Sequence, residues 1–441
     1  MQITIIRVGM YRQKSSDAMK PLIFPILAQL SPPGTELSFL DDRVENVPDK
    51  LEADIIVLSV ETFAAKRAYL LAKQLKHRGN TIVMGGYHPT ALPEEALRFC
   101  DVVLVGDAED TFPQFLRDYR QGRVNRIYRS SGKVPMEPVD SGHPAFSGKK
   151  YVPLGVAQFS RGCKFRCDFC SVKTMYSGTV RQKSMEDFVW ELKNAREKFF
   201  FFLDDNIFLD EQSAIRLFEA IRPLKKRWAC QISMDVAFND RLLQAMRRSG
   251  CVLVLIGFES LDSENLRQMN KAANLRAGDY DRAIENIYRH KLMIYATFVL
   301  GYDKDTPETI RNTLAFAQRH SFALANFNPL IPMPGTPLYR RLEEENRLVY
   351  RCWWLDNRYC YGDTAFYPRG MTPEELKESC REARFRYYSM GCILKRLFKN
   401  RLHHSPGRLA LYLAANLISA REIHKKQGRR LGGYLDEADT D

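Results

Sequence analysis

Short apolar runs recur along the first 340 residues, and amphipathic stretches separate them. A short apolar run bounded by turn residues is typical of a strand that is buried on both faces. Strands joined by helical crossovers lie parallel in one sheet, so this alternation restricts the chain to α/β folds. It occurs in two series, and the polar, Gly-, Ser- and Pro-rich stretch 125–150 lies between them.

The first series predicts a doubly wound, Rossmann-like parallel sheet. Its strands are predicted at 3–8, 36–40, 54–60, 81–86 and 101–106, and the stretch 65–79 predicts a helix closed by Gly79. Ligands of such sheets bind beyond the carboxyl ends of the strands, where small residues let a ligand approach the backbone. The candidate ligand contacts there are Gly9, Ser59, Thr62, Gly85, Gly86, Tyr87, His88 and Gly106. The alternative is that these glycines only form turns.

The second series predicts six β/α units, two short of a full eight-fold barrel. Its strands are predicted at 154–160, 199–204, 229–234, 252–260, 293–301 and 323–331. A basic region with helical pattern follows. We therefore expect a Rossmann-like domain over 1–140, a partial (β/α)6 barrel over 150–345 and a mainly helical region over 346–441.

The composition limits the possible binding partners of the protein and its cellular compartment. No apolar run approaches the ~18 residues of a transmembrane helix, and "MQITIIRVGM" lacks the features of a signal peptide. The 10 cysteines follow no disulfide framework, so a reducing, cytoplasmic location is expected. The net charge of +13 permits nucleic acid, an anionic membrane surface or an anionic cofactor as partner.

Three cysteines crowd together directly after the first strand of the second series. Cys163, Cys167 and Cys170 have the spacing C-x3-C-x2-C, on the side of the barrel where active sites lie. Structural zinc and iron–sulfur clusters both normally take four protein ligands. Three thiolates leave one metal position open, which is typical of a catalytic site. Zinc binding and plain burial remain alternatives.

This motif, at this strand, resembles the radical S-adenosylmethionine (SAM) superfamily. The resemblance implies a 4Fe-4S cluster whose open iron chelates SAM, which is cleaved to a 5′-deoxyadenosyl radical that abstracts hydrogen from substrate. Further motifs match in order: "FFLDDNIF" (201–208), "CQISMD" (230–235), "IGFES" (256–260), "FVLGYDKDTPET" (298–309) and "NPLIPMPGTPLY" (328–339). The implied SAM contacts are Phe169, Asp204, Asp205, Gln231, Ser233, Glu259 and Ser260. The two aspartates are alternatively loop acids or a helix cap, and Glu259 is alternatively structural.

The first sheet followed by this barrel resembles the radical SAM branch with an N-terminal cobalamin-binding domain. That branch includes hopanoid C-methylases and the anaerobic magnesium-protoporphyrin ester cyclase. The segments that carry the resemblance are "GGYHPTALPEEAL" (85–97) and "VLVGDAEDTF" (103–112). The usual Asp-x-His-x-x-Gly motif is absent after the first strand, so cobalamin is expected to bind without a protein axial ligand. The alternatives are a domain that binds nothing, and His88 as either axial ligand or turn residue.

Two features of the rest of the chain have two interpretations each. Trp353, Trp354, Tyr359 and Tyr361 line a substrate pocket or are core anchors. The basic segment 389–432 lies on an anionic membrane surface or is a solvated helix pair packed on the barrel. Beside the cysteines, Arg161, Lys164 and Arg166 stabilise thiolates or form a solvated face.

The resemblance predicts methylation of an unactivated carbon in a small, apolar substrate: a lipid, an isoprenoid or a tetrapyrrole. A flavodoxin or ferredoxin is the expected electron donor. The closest alternative is a cyclase or rearrangement enzyme of the same branch. An RNA-modifying methylthiotransferase and an iron–sulfur sensor are more distant, because the N-terminal domain has no second three-cysteine set and a sensor needs no SAM pocket. No nucleic acid partner is expected.

Overall fold

The first six strands form one parallel sheet in the order β2-β1-β3-β4-β5-β6. The structure, a computed structural model, describes residues 1–12, 14–176, 178–207 and 210–433. The end of the motif 201–208 and the end of the region 346–441 therefore lie outside the described residues. The strands are β1 (Gln2–Arg7), β2 (Glu36–Asp41), β3 (Ile55–Ser59), β4 (Thr81–Gly85), β5 (Val102–Val105) and β6 (Ile127–Arg129).

This sheet confirms the predicted doubly wound fold. The helices that follow its strands are α1 (Ile23–Leu30), α2 (Ala65–Leu75), α3 (Tyr87–Ala91), α4 (Pro93–Ala96) and α5 (Ala108–Arg120). The chain order reverses between β1 and β3, the kind of position where open α/β sheets bind ligands. Two details differ from prediction: β6 lies in the stretch read as a linker, and α2 ends at Leu75, so that Gly79 belongs to the turn before β4.

A second six-stranded parallel sheet follows, with its strands in chain order, as in a partial β/α barrel. Between its first two strands lies the antiparallel pair β8–β9, which the sequence did not predict. The strands are β7 (Gly155–Ala157), β8 (Ser160–Arg161), β9 (Arg181–Gln182), β10 (Phe199–Phe202), β11 (Arg227–Ile232), β12 (Cys251–Glu259), β13 (Met293–Leu300) and β14 (Leu324–Pro329).

Helices cover the second sheet and form the C-terminal region. Several begin at capping side chains, each worth about 1 kcal/mol, among them Ser184, Asp210 and Thr306. In the second domain they are α6 (Val172–Tyr176), α7 (Met185–Asn194), α8 (Glu211–Ile221), α9 (Asp240–Ser249), α10 (Ser263–Gln268), α11 (Ala272–Ala277), α12 (Tyr280–Arg289), α13 (Pro307–Arg319) and α14 (Pro337–Glu344). The C-terminal helices are α15 (Pro373–Tyr387), α16 (Met390–Lys399) and α17 (Pro406–Lys426). Within the described ranges, no helix is long and apolar enough to span a bilayer.

Candidate active site

The three cysteines lie on the loop between β8 and α6, beyond the carboxyl end of β7. All three are half-buried and free of disulfides. The backbone N–H of Cys170 donates to the carbonyl of Cys167 at 3.3 Å, which closes a turn at the end of the motif. The thiols therefore face the carboxyl edge of the second sheet from a single short loop.

Two aspartates after β10, the buried Asp204 and the half-buried Asp205, fix the start of this loop. Asp204 accepts hydrogen bonds from the backbone N–H of Phe159 (3.2 Å) and from the N–H and hydroxyl of Ser160 (2.5 and 2.6 Å). Asp205 accepts one from the N–H of Gly162 at 2.9 Å. Burial raises the pKa of Asp204 to about 6, and these hydrogen bonds oppose that rise. Both carboxylates thus hold the backbone that precedes Cys163, and their predicted contact with SAM remains a prediction.

The other end of the loop is fixed through Asp168. Its carboxylate accepts a hydrogen bond from the Tyr302 hydroxyl at 2.6 Å and pairs with Arg341 at 3.1 Å. Its backbone N–H donates to the carbonyl of Met269 at 3.1 Å, and its carbonyl accepts from the N–H of Leu338 at 3.0 Å. Hydrogen bonds and an ion pair therefore hold the cysteine motif to residues near the last strands of the second sheet as well as to residues near its first strands.

An ion pair between Lys271 and Glu259 lies beside the thiols. The Lys271 Nζ is 2.6 Å from the Glu259 carboxylate and 5.8 Å from the centre of the Phe169 ring. Burial raises the pKa of all three thiols, to about 12 for Cys170, and the charge of Lys271 opposes this rise. Lys271 is thus placed to favour the thiolate form that a metal needs. The sequence analysis missed Lys271, because it lies between short helices and outside every strand-end motif.

The backbone around this ion pair is strained. Glu259 has φ +62°, an unfavourable conformation for a residue with a side chain, and it lies at an irregularity in the pairing of β12 with β13. A Cβ on Gly257 would lie 2.0 Å from the Glu259 carboxylate and 3.0 Å from the Lys271 Nζ. Gly257 is therefore required for the pair, and strain of this kind clusters at functional sites.

The remaining predicted SAM contacts lie at the ends of neighbouring strands. The Gln231 side chain donates to the carbonyl of Asp205 at 3.1 Å. Ser233 contacts Asn206 at 3.5 Å, and the buried Oδ1 of Asn206 has no hydrogen-bond partner among the described residues, so this oxygen is available to a ligand. The hydroxyl of Ser260 is buried and accepts from the N–H of Asp262 at 3.1 Å, which gives it a structural partner.

A cavity of about 340 Å³ lies between the carboxyl edge of the first sheet and barrel residues on either side of the cysteine loop. Four predicted residues line its first wall: Ser59, Gly85, Gly86 and Gly106. Its second wall comes from the barrel and includes Gln158, Arg161, Met175, Tyr176 and Leu203. Gly86 has φ +103°, and a Cβ there would lie 2.7 Å from the Val60 carbonyl, so the fold requires glycine at this strand end. Glycines at the strand ends also leave the backbone of this wall without side chains, which lets a ligand approach closely.

Other predicted residues of the first domain do not line this cavity. Gly9 borders a neighbouring cavity of about 320 Å³, and its N–H donates to Asp42. Thr62 is buried, and the Tyr87 hydroxyl donates to the Pro334 carbonyl at 2.6 Å. His88 is 0% exposed, with its Nε2 3.0 Å from both the Tyr69 hydroxyl and the Glu95 carboxylate. The structure thus places the His88 imidazole inside the domain, away from any axial ligand position over the cavity.

Arg161, which was predicted either to stabilise thiolates or to form a solvated face, is buried and pairs with carboxylates. Arg161 pairs with Asp107 (3.1 Å) and Glu109 (2.6 Å), which follow β5 of the first sheet. Arg181 also pairs with Asp107. These buried ion pairs join the cysteine loop to the first domain across the cavity. Lys164, by contrast, lies 3.8 Å from Asp235 at the surface.

The aromatic stretch consists mainly of core anchors. Trp353, Trp354 and Tyr359 are fully buried in the apolar core on one face of the first sheet. The indole of Trp354 donates to Glu95 at 3.0 Å, and that of Trp353 donates to the Pro332 carbonyl at 2.9 Å. Only Tyr361 of the four reaches a cavity. The C-terminal region therefore stabilises the first domain rather than lining a substrate pocket there.

The donor set suits an iron–sulfur cluster better than a single ion. In the part of the chain that the structure describes, no three His, Cys, Asp or Glu side chains converge tightly enough to chelate one metal ion. A cluster distributes its thiolates over different irons, so its ligands need not converge on one point. Three soft thiolates with a cation beside them fit such a cluster, and the bare backbone at Gly86 fits a corrin.

Comparisons with known proteins match both parts of the chain that contain the cysteine motif and the first sheet. Residues 157–317 match the radical SAM superfamily, residues 28–116 a B12-binding domain, and residues 336–424 a domain of unknown function. The bacteriochlorophyllide d C-12(1)-methyltransferase of Chlorobaculum tepidum is 29% identical over 396 residues, covering 87% of this chain and 86% of that protein. The hopanoid C-2 methylase of Rhodopseudomonas palustris is 25% identical, covering 75% of this chain and 66% of that protein.

Solved structures share the fold. The methyltransferase TsrM from Kitasatospora setae, with cobalamin and a [4Fe-4S] cluster bound, matches 96% of this chain and 99% of its own with a TM-score of 0.62 at 15% identity. The radical enzyme OxsB matches 96% of this chain and 72% of its own with a TM-score of 0.68 at 14% identity. The chain therefore combines a radical SAM domain with a B12-binding domain, and these domains imply a 4Fe-4S cluster, SAM and cobalamin as cofactors.

Proposed function

We propose that this enzyme methylates an unactivated carbon of a small, apolar substrate in the cavity between its two sheets. The observation that carries the proposal is the shared cavity. Met175 and Tyr176 lie on α6, the helix that follows the cysteine loop, and they line the same cavity as Gly85 and Gly86 of the first sheet. A radical site and a methyl carrier must both reach one substrate carbon, and only a shared cavity allows this.

In this proposal, each part of the site has a separate task. When bound, the cluster and SAM supply a hydrogen-abstracting radical, and cobalamin supplies the methyl group. Cys163, Cys167 and Cys170 hold the cluster, and Asp204 and Asp168 keep their loop in place. Lys271 balances the negative charge of the thiolates. Apolar side chains such as Leu22, Leu104 and Leu203 line the cavity, where they exclude water that would quench a radical.

We further propose a tetrapyrrole as the substrate class. Two similar curated proteins are named for methylation of bacteriochlorophyllide d, at 29% and 27% identity. The hopanoid methylase makes a polycyclic lipid the second candidate, and the cyclase relative, at 25% identity, makes ring closure the second reaction.

The proposal also includes a flavodoxin or ferredoxin as electron donor and a cytoplasmic location. The 10 free cysteines suit a reducing compartment.

The test is anaerobic turnover with methyl-labelled SAM, a reductant, and either a chlorophyllide or a hopene. Label in a product that is heavier by one methylene supports methylation, and the choice of acceptor identifies the substrate class. Formation of 5′-deoxyadenosine together with an unlabelled, altered tetrapyrrole would instead establish a cyclase or rearrangement. The Cys163→Ala variant, assayed in parallel, excludes label transfer that does not need the cluster.

A further inference from the structure

Helix α16 carries an exposed apolar row. Met390, Leu394 and Phe398 are 57%, 42% and 73% exposed. Residues four apart lie on one face of a helix, so the three side chains form a continuous stripe, here called the α16 stripe. Solitary exposed apolar residues are ordinary, but a row at helical spacing marks a contact surface.

The sequence around the α16 stripe is rich in basic residues. Between Glu382 and Glu422 the sequence contains no Asp or Glu. Its cations in that interval are Arg384, Arg386, Lys395, Arg396, Lys399, Arg401, Arg408 and Arg421. Lys395 and Lys399 are exposed on the same helix as the stripe, and Lys395 has no ion-pair partner within the described ranges. An apolar row flanked by unbalanced cations is complementary to an anionic bilayer.

A cavity of about 770 Å³ lies between α13, α15 and α16. Its lining contains five cations and no carboxylate: Arg319, Arg386, Lys395, Arg396 and Lys399. Two of them have carboxylate partners outside the lining, Asp281 for Arg319 and Glu382 for Arg386. The cavity therefore combines a net positive charge with a volume that suits a phosphate-bearing group.

The buried Arg396 adds to the positive charge of the cavity. Its side chain is 1% exposed, and it donates to the carbonyls of Phe322 (2.9 Å) and Tyr387 (2.9 Å) and to Asn416 (3.0 Å). All of these partners are neutral, and its Nε has none in the described structure. A buried guanidinium without a carboxylate leaves its positive charge uncompensated at the cavity wall.

This surface lies on the edge of the barrel opposite the cysteine loop. The cavity lies near the end of α13 and the start of β14, which begins at Leu324. The cysteine loop follows the carboxyl end of β7, and all six strands of the sheet are parallel. A partner bound at α16 would therefore leave the cavity between the two sheets open.

We propose that the α16 stripe inserts at the headgroup level of an anionic membrane and that the cavity beside it takes the phosphate of a lipid headgroup. The proposal deepens the proposed function by naming the membrane as a partner. It depends on α13, α15 and α16, away from the cysteine loop, so membrane binding and turnover can fail separately.

The experiment is co-sedimentation of the purified full-length enzyme with vesicles. One set contains equal parts of phosphatidylglycerol and phosphatidylcholine, and the other contains phosphatidylcholine alone. We expect binding to the anionic set, weakened by salt, and no binding to the neutral set. Reversing two charges by Lys395→Glu with Lys399→Glu should weaken binding roughly 30-fold or more, because each surface cation contributes about a factor of five.

Matched variants separate the stripe from general surface effects. Leu394→Ser should reduce binding, whereas Leu70→Ser, which changes a leucine 44% exposed on α2, should not. Lys193→Glu, on α7, is the corresponding charge control. The proposal is overturned if the enzyme ignores anionic vesicles, binds neutral ones equally well, or binds equally well with Leu394→Ser. Turnover of a detergent-solubilised substrate, measured without vesicles, tests the proposed function independently of all these outcomes.

Discussion

The two parallel sheets present their carboxyl ends to the same cavity in different ways. The first sheet offers small residues and bare backbone, with Gly85, Gly86 and Gly106 at its strand ends. The second sheet offers the side chains of Gln158, Arg161 and Leu203, next to a cysteine loop whose start is held by the buried Asp204. The order of the strands differs too. In the first sheet the chain order reverses between β1 and β3, whereas the strands of the second sheet follow one another in chain order.

This difference reflects what each wall has to bind. A large preformed cofactor needs space and a close approach to the backbone, which glycines at strand ends provide. A metal cluster needs ligands at fixed positions, and fixed positions need anchored loops. The Arg161 ion pairs with Asp107 and Glu109 then join the two walls, so the distance between them is set by the fold.

The largest effect is expected from a change at the second sheet. This change should remove the cluster and leave the corrinoid wall intact. Cys163→Ala should abolish cluster assembly and SAM cleavage, because only two local thiolates remain. Corrinoid content should stay unchanged, since the first sheet is untouched. Iron, sulfide and corrinoid assays on one anaerobic sample measure this, with Cys392→Ala as the control thiol. Retention of a full cluster in Cys163→Ala would refute the assignment of the motif.

The reciprocal change is Gly86→Ala at the first sheet. The new Cβ would lie 2.7 Å from the Val60 carbonyl at φ +103°, so we expect about 1–3 kcal/mol of destabilisation and loss of corrinoid with iron retained. Gly79→Ala is a matched control, because Gly79 has φ +102° but no atom within 4 Å of its Cβ position. Equal corrinoid content in the two variants would show that Gly86 is not part of the cofactor wall.

A smaller effect is expected at the loop anchor of the second sheet. Asp204→Asn replaces one acceptor oxygen by an NH2 group that faces N–H and O–H donors, so about 1–3 kcal/mol of stability should be lost. Cluster content should fall while corrinoid content stays constant. Denaturant unfolding and iron assays check both parts. Unchanged stability would mean that the aspartate does not hold the loop.

The smallest effect concerns the contact between α17 and the N-terminal loop. Burial opposes ionisation of Glu422, but hydrogen bonds from Ser16 and Lys426 outweigh it and hold its pKa at about 2, below the ordinary 4.5. A depressed pKa contributes stability above pH 4.5, and that stability is lost as the pH falls from about 4.5 toward 2.

Glu422→Gln should therefore lower stability at neutral pH and flatten its decline on acidification. Thermal unfolding over a pH series measures this, and Glu378→Gln, at an exposed ion pair on α15, is the control. An identical acid decline in the enzyme and in Glu422→Gln would contradict the account.

The sequence predicted both sheets because each strand is encoded locally, as an apolar run such as "DIIVLSV" or "VLVLIGFES". It missed β6 and the β8–β9 pair, which have only two or three residues in polar surroundings. Long-range pairs could not be predicted either: Arg161 was predicted to stabilise thiolates or to form a solvated face, but it pairs with Asp107, 54 residues away. The site loops were predicted from motifs, whereas Lys271, which has no motif of its own, emerged only from the fold.

The most direct test of the shared cavity is pulsed electron paramagnetic resonance on the enzyme that carries both reduced cluster and cobalt(II) corrinoid. The account predicts a dipolar interaction between the two centres, and the interaction should disappear with either Cys163→Ala or Gly86→Ala. Two full signals without mutual coupling, or a full cluster in an enzyme that takes up no corrinoid, would contradict the claim that both sheets serve one substrate.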